Sequence, residues 1–322
     1  MIRRTILAAL AGSLSTAAIA QTSAWPERSV RLILPFPAGS ATDVALRIIE
    51  TALTPQLGHP VVIDNRSGAS GSIGVDAVAK AAPDGYTTGL ITVSTHAVAP
   101  GLGKKLPYDP LADFTPVGMV GSTPYVLVTF PGLGAANVKD LVALAKAKPG
   151  SLNYGSAGPA SMAHLAAALL ATETGTDIVH VPYRSSAHAV TDIIAGRIQM
   201  QFATIPPSLE LIATDRLRAI AVSGQRRSST LPNVPTVAEQ GLPGFEATLW
   251  MALVMPAKTP PEIALRLNAA LNAVLTRPKV RDALLVQGVE PDPGTPEALT
   301  SRIRIEMAKW RDVIVKAGIK AD

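Results

Sequence analysis

The chain has 322 residues, 48% of them hydrophobic and 4% aromatic, no cysteine and a formal net charge of +5. Without cysteine there is no disulfide framework, no thiolate nucleophile and no lipid-attachment cysteine. The basic excess is mild, and no later Lys/Arg run is longer than Arg226-Arg227, so a weakly cationic cleft for small acids fits better than a nucleic-acid face.

The first residues, MIRRTILAALAGSLSTAAIAQT, set Arg3 and Arg4 before an apolar run and an A-x-A at Ala18, Ile19 and Ala20. This is the pattern of a secretory signal over residues 1–20, cleaved before Gln21. The run is broken by Gly12, Ser13, Ser15 and Thr16 and is shorter than the roughly 20 apolar residues of a membrane span. Removing residues 1–20 takes away two arginines and no acid, which lowers the net charge to +3 and leaves 302 residues. A chain of that size often divides in two, because single cores stop growing near about 250–300 residues.

Strand-like and helix-like stretches then alternate. Val30–Phe36 precedes a helical pattern from Thr42, Val61–Ile63 one around Val75–Ala81, and Thr88–Ser94 a short apolar segment reaching Leu102. Thr115–Gly121 and Tyr125–Phe130 read as two strands parted by Thr123-Pro124. Helices are expected over Lys139–Lys148, Met162–Thr172 and Ala187–Gly196, and strands over Leu152–Gly155, Ile178–Pro182, Ile198–Ala203, Arg218–Ser223 and Thr248–Met255. From Ile263 onward the pattern is helical only. The alternation predicts an α/β protein with largely parallel sheets, and the helical tail must return to a sheet made earlier to bury its apolar stripe. The expected division is residues 21–124 with 250–322 as one domain and 125–249 as the other, joined by two hinge crossings. No internal repeat of fixed period is visible. In LPNVPTVAEQG, Thr236 is placed to cap a short helix through Glu239.

Three strand-ending loops could hold an anion. In RLILPFPAGSATDVALR an apolar strand turns through Ala38, Gly39 and Ser40 into a helix that Ser40 or Thr42 can cap, with Asp43 and Arg47 four apart. The free amides of such a helix start carry partial positive charge. NYGSAGPASMAH repeats the chemistry with Ser156, Ala157, Gly158 and Ser161, and ITVSTHA ends a strand at Ser94 and Thr95. Ligands of open α/β sheets sit beyond the carboxyl ends of the strands. In HVPYR, Tyr183 and Arg184 close another strand, where Arg184 either forks onto a carboxylate or makes a surface ion pair. Trp250 is either hinge packing or a cleft wall.

Enzyme readings fit less well. Neither GASGS nor GSAGP supplies G-x-S-x-G, there is no phosphate-loop motif, and Gly68, Gly71 and Gly74 have the wrong spacing for a dinucleotide. The five histidines form no metal-binding pair, and Ser156 with His164 as base lacks a visible acidic orienter.

Seven stretches in one order carry a family resemblance: WPERSVRLILPFPAGSATDVALR, VVIDNRSGASGSIG with PDGYT, PYDPLADFTPV, LNYGSAGPASMAH, HVPYR, RLRAIAVSGQRRSSTLPNVPTVAEQG and AKWRDVIVKAGI. The chain resembles the Bug-type receptors, periplasmic substrate-binding components of tripartite tricarboxylate transporters. The resemblance implies a two-lobed, type II-like periplasmic-binding-protein fold that closes on a small organic anion, such as a carboxylate, dicarboxylate, aromatic acid or amino acid. It implies no catalysis, metal or cofactor, and partners limited to the ligand and integral-membrane transporter subunits, with the receptor a periplasmic monomer. Family practice places the ligand against Ala38–Asp43 and Ser156–Ser161. Ser40 and Ser185 stand where relatives commonly carry glycine. The competing expectations are a secreted serine hydrolase and a ligand-sensing partner of a signalling protein.

Overall fold

The computed structural model describes residues 25–320, so the expected signal segment lies outside the described residues. The strands are β1 (Val30–Leu34), β2 (Val61–Asn65), β3 (Thr87–Thr92), β4 (Phe114–Thr129), β5 (Leu152–Ser156), β6 (Ile178–Pro182), β7 (Met200–Thr204), β8 (Arg218–Val222), β9 (Thr248–Pro256) and β10 (Glu290–Pro291). The helices are α1 (Ala41–Leu57), α2 (Ser72–Ala79), α3 (Ala99–Gly101), α4 (Val138–Ala147), α5 (Met162–Thr174), α6 (Ser186–Ile194), α7 (Ile205–Ala213), α8 (Pro261–Leu275), α9 (Pro278–Val286) and α10 (Pro296–Lys316).

The strands form one sheet in the order β2-β1-β3-β9-β4-β7-β5-β6, with β8 and β10 also on β4. The arrangement β2-β1-β3-β9 is repeated, strand for strand, as β6-β5-β7-β4. In each half three parallel strands end beside one antiparallel long strand. The sequence shows no trace of this repeat because it is a repeat of topology only.

The two expected strands around Thr123-Pro124 are one. β4 runs unbroken for 16 residues, pairing with β9 from Phe114 to Pro124, with β7 from Tyr125 to Thr129 and with β8 from Val126 to Thr129. Pro124 still aligns with Thr248, and register shifts at Pro116/Gly118 and Met119/Gly121 absorb the irregularity. A helix not expected from sequence, α7, begins at Ile205-Pro206-Pro207. Proline pairs look like breakers but are tolerated in a first turn, where amides have no intrahelical acceptor anyway.

The continuous apolar run of β1 is covered on both faces: Leu32, Ile33 and Leu34 are fully buried. One core packs α1, α8 and α9 on the sheet, and another gathers α2, α4, α5 and α10. The returning tail thus finds the sheet it needed. Trp250 is buried packing, its indole N–H donating to Glu306. Thr236 and Glu239 form a reciprocal capping box: Glu239 N–H donates to Thr236 Oγ1 at 3.0 Å and Thr236 N–H to Glu239 Oε2 at 2.6 Å.

Candidate functional site

The register of the long strands brings two sets of strand ends face to face. β3 ends at Thr92, paired with Met251 of β9, and β9 runs from there back to Thr248, paired with Pro124. The next residue of β4, Tyr125, pairs with Thr204, the last residue of β7. β3 and β7 therefore point at each other across the Pro124–Thr248 pair. Their parallel neighbours β1, β2, β5 and β6 carry their following loops to the same gap.

On one side of the gap, Gly39 takes φ +79°, a left-handed turn that glycine makes without strain. Ser40 caps α1, accepting the Asp43 amide at 3.2 Å. The amides of Ala41 and Thr42 have no intrahelical acceptor and so remain for a ligand or water. The buried Asp43 carboxylate accepts from Gly39 N–H, Arg47 and Asn65 Nδ2, and Asn65 also donates to Phe36 O. The Arg47 guanidinium, outweighing burial, holds Asp43 at about 2, well below the usual carboxylate range. Asp43 is thus a fastener of the turn, with its oxygens already occupied. Ala38 is exposed at the tip.

Beside this turn, Ser94 and Thr95 begin a single wide turn of π-helix after β3. Ser94 is half-buried, whereas buried Thr95 spends its hydroxyl on the Thr92 backbone and His96 Nδ1. A side chain at Gly71 would meet Thr95 Cγ2 at 2.9 Å, so the glycine lets the β2 loop close on this turn.

Across the gap, Ser156 is fully buried; its Oγ accepts from Gly158 N–H at 3.1 Å and lies 2.6 Å from His180 Nε2. The partner of Ser156 is therefore His180 rather than His164, whose Nδ1 accepts the Ala160 amide at 3.1 Å. Ser156 is fully buried and no acid among the described residues hydrogen-bonds to His180, so the serine lacks both access to a substrate and an oriented base. Gly158 and Ala160 both have positive φ, +104° and +55°. Ser161 caps α5 and donates to Gly158 O, while Ala157 is exposed at the tip. Tyr183 OH donates to Asp192, and Arg184 is exposed without an ion pair among the described residues.

A cavity of about 310 Å³ lies where the two sides meet, bounded by Ala41 and Thr42 of α1, Thr204 with the α7 start, and Leu249 and Met251 of β9. Thr123 and Tyr125 form its floor on β4. No acid, lysine, arginine or histidine lines it, and burial pushes the Tyr125 phenol up to about 12, so that it stays neutral. Negative charge in this space would be met by backbone amides and hydroxyls. Of the residues expected from sequence, only Thr42 lines this cavity; the others occupy the strand-end loops around the gap. Asn65, Thr123 and Thr204 were not foreseen: Asn65 acts 22 residues from Asp43, and Thr204 lies outside any glycine turn. On the opposite side of β4 and β9, a polar cavity of about 340 Å³ is crossed by the Arg302–Glu246 ion pair. With Glu290 and Asp292 also there, acids outnumber its arginines, which disfavours an anion.

Comparison with known proteins accords with this geometry. Residues 45–319 match the family described as tripartite tricarboxylate transporter family receptor. The chain is 39% identical to Protein BugT of Bordetella pertussis over 320 residues, 98% of each chain. A Rhodopseudomonas palustris protein solved with adipate superposes with a TM-score of 0.72 at 36% identity, covering 92% of this chain and 99% of the other. MatC of the same species, with bound malate, gives 0.68 at 30% identity, covering 90% and 100%. The chain belongs to the receptor family of the tripartite tricarboxylate transporters, whose members are periplasmic solute-binding proteins and not enzymes.

Proposed function

We propose that this receptor captures a small organic carboxylate between two lobes, residues 21–124 with 250–322 and residues 125–249, and delivers it to transporter subunits in the membrane. The observation that carries the reading is the facing of the β1–β3 ends and the β5–β7 ends across the Pro124–Thr248 pair, with an uncharged cavity between Thr42 and Thr204. In this reading the anion lies on the free amides at the start of α1 and is enclosed by Ala38, Gly39, Ser40 and Ser94 from one lobe. Ala157, Gly158, Ser161, Tyr183 and Arg184 approach from the other, while Asp43, Thr95 and Ser156 hold the loops from behind. Two relatives that contain adipate and malate support the ligand class. Ligand binding shifts the lobes towards the closed form by its preference for that form. The protein works in the periplasm as a monomer after cleavage before Gln21.

Calorimetry of the purified protein at pH 7.5 with adipate, malate, aromatic acids and amino acids tests this. Saturable one-to-one binding of at least one acid is expected; no binder, or chemical turnover of any of them, would sink the reading.

A further inference from the structure

The loop carrying Ala157, Gly158 and Ser161 is held from beneath by two histidines that no role above uses. His164 of α5 and His180 of β6 stack with ring centroids 3.8 Å apart and planes 14° apart, and Tyr154 lies against both. His180 reaches the loop through Ser156 Oγ, and His164 reaches it through the Ala160 amide. Ala160 needs this hold. A non-glycine residue in the left-handed region is strained and persists only where its surroundings impose it. Its N–H must donate to an unprotonated Nδ1, which sets the His164 tautomer with the proton on Nε2.

We propose that His164 and His180 are positioning residues for ligand capture: as a neutral stacked pair they keep the Ser156–Ser161 loop in its binding shape, and a proton on His164 releases Ala160. This rests on the receptor reading above. A cationic His164 carries hydrogen on Nδ1 and cannot accept the Ala160 amide, and it would face a second imidazole at van der Waals distance. Burial, then the neighbouring His180, holds His164 down at about 4, and burial lowers His180 as well. Charged groups on the surrounding elements do not counter this. Lys309 pairs with Glu306 on α10, Asp192 of α6 pairs with Arg197, Glu173 stands more than two turns along α5, and Asp177 precedes β6. None hydrogen-bonds to either ring. Because the folded value lies below the unfolded one, the unfolded chain takes the proton first, and stability falls as pH drops from about 6.5 towards 4.

The test follows the backbone amides of Gly158 and Ala160 by NMR from pH 7.5 to 3.0. In parallel, adipate, or the tightest-binding acid of the panel above, is titrated at pH 7.5 and 3.5. Wild type is compared with His164→Asn, whose Oδ1 accepts from Ala160 at every pH, with His180→Gln and with His164→Leu. The Ala160 amide should titrate with the His164 ring in wild type and stay flat in His164→Asn. His164→Leu should shift it already at pH 7.5. Wild-type affinity should fall about fourfold more than that of His164→Asn between the two pH values, because about three quarters of a His164 held at about 4 carries the proton at pH 3.5. An Ala160 amide indifferent to the ring's titration overturns the proposal, and so does a parallel loss of affinity in both proteins, which protonation of the ligand alone would produce. If no acid binds at pH 7.5 the receptor reading fails, and the amide titration of wild type still decides whether the histidines hold the loop.

Discussion

Gly39 and Asp43 close a ring at the mouth of the cleft. The Gly39 amide donates to Asp43 Oδ2 at 3.0 Å, and Arg47 Nε donates to the same oxygen at 2.9 Å. One buried carboxylate therefore sets the shape of the turn that leaves the Ala41 and Thr42 amides free. Asp43→Asn leaves Arg47 unpaired and turns an acceptor into a donor in part, so a loss of about 1–3 kcal/mol is expected, a cost typical of orphaned buried groups. Arg47 is half-exposed, which keeps its share of that loss small. Urea unfolding at pH 7 measures it.

The same contact sets an acid dependence. Asp43 is held at about 2 in the fold, mainly by Arg47, against the usual carboxylate value when unfolded. Its contribution is present above about pH 4 and is lost as pH falls from there through about 2. The stability gap between wild type and Asp43→Asn should therefore narrow across that window and remain constant from pH 5 to 7. A constant gap down to pH 2 would falsify the assignment.

Ser40 tests the cap. Its Oγ accepts the Asp43 amide, so Ser40→Ala should cost about 1 kcal/mol and Ser40→Gly only a few tenths. Thermal unfolding of both variants separates capping from any effect on ligand preference, which calorimetry with the acid panel reads independently.

Thr42 and Thr204 face one cavity from opposite sides. Thr42→Val and Thr204→Val keep the shape and remove a hydroxyl, so each should weaken the bound acid by about tenfold or less with little change in stability. Unchanged affinity in both would move the ligand out of this cavity.

Two indoles converge on Glu306: Trp310 Nε1 at 2.7 Å and Trp250 Nε1 at 3.3 Å, with Lys309 as its ion partner. Glu306→Leu orphans both N–H groups beneath β9, and a loss of about 3–5 kcal/mol is expected, as for removal of one member of a buried pair. Glu306→Gln, which keeps an acceptor, should recover part of it. Tryptophan fluorescence during unfolding reports both.

Much of the fold was legible locally. The apolar run of β1, the capped start of α1, the cap at Thr236 and the returning helices each follow from side-chain periodicity and capping chemistry over a few residues. The joining of β4 through Pro124 was not, because whether a proline interrupts a strand depends on the partner opposite it, here Thr248. The α7 start was hidden for a related reason: Pro206 and Pro207 break a helix interior but suit its first turn.

The sequence by itself determined the class of the fold and the chemistry of each loop: which turns needed glycine, which hydroxyls could cap, and that neither a nucleophile nor a metal cluster was offered by spacing. Tertiary structure alone decided which loops face one another and what each polar atom is free to do. Asp43, Thr95 and Ser156 read as ligand contacts in one dimension, yet their atoms are already partnered by Arg47, Thr92 and His180. Those partners are brought by strand register, and register is settled by pairing and packing across the whole sheet, a property that no short stretch of the chain contains.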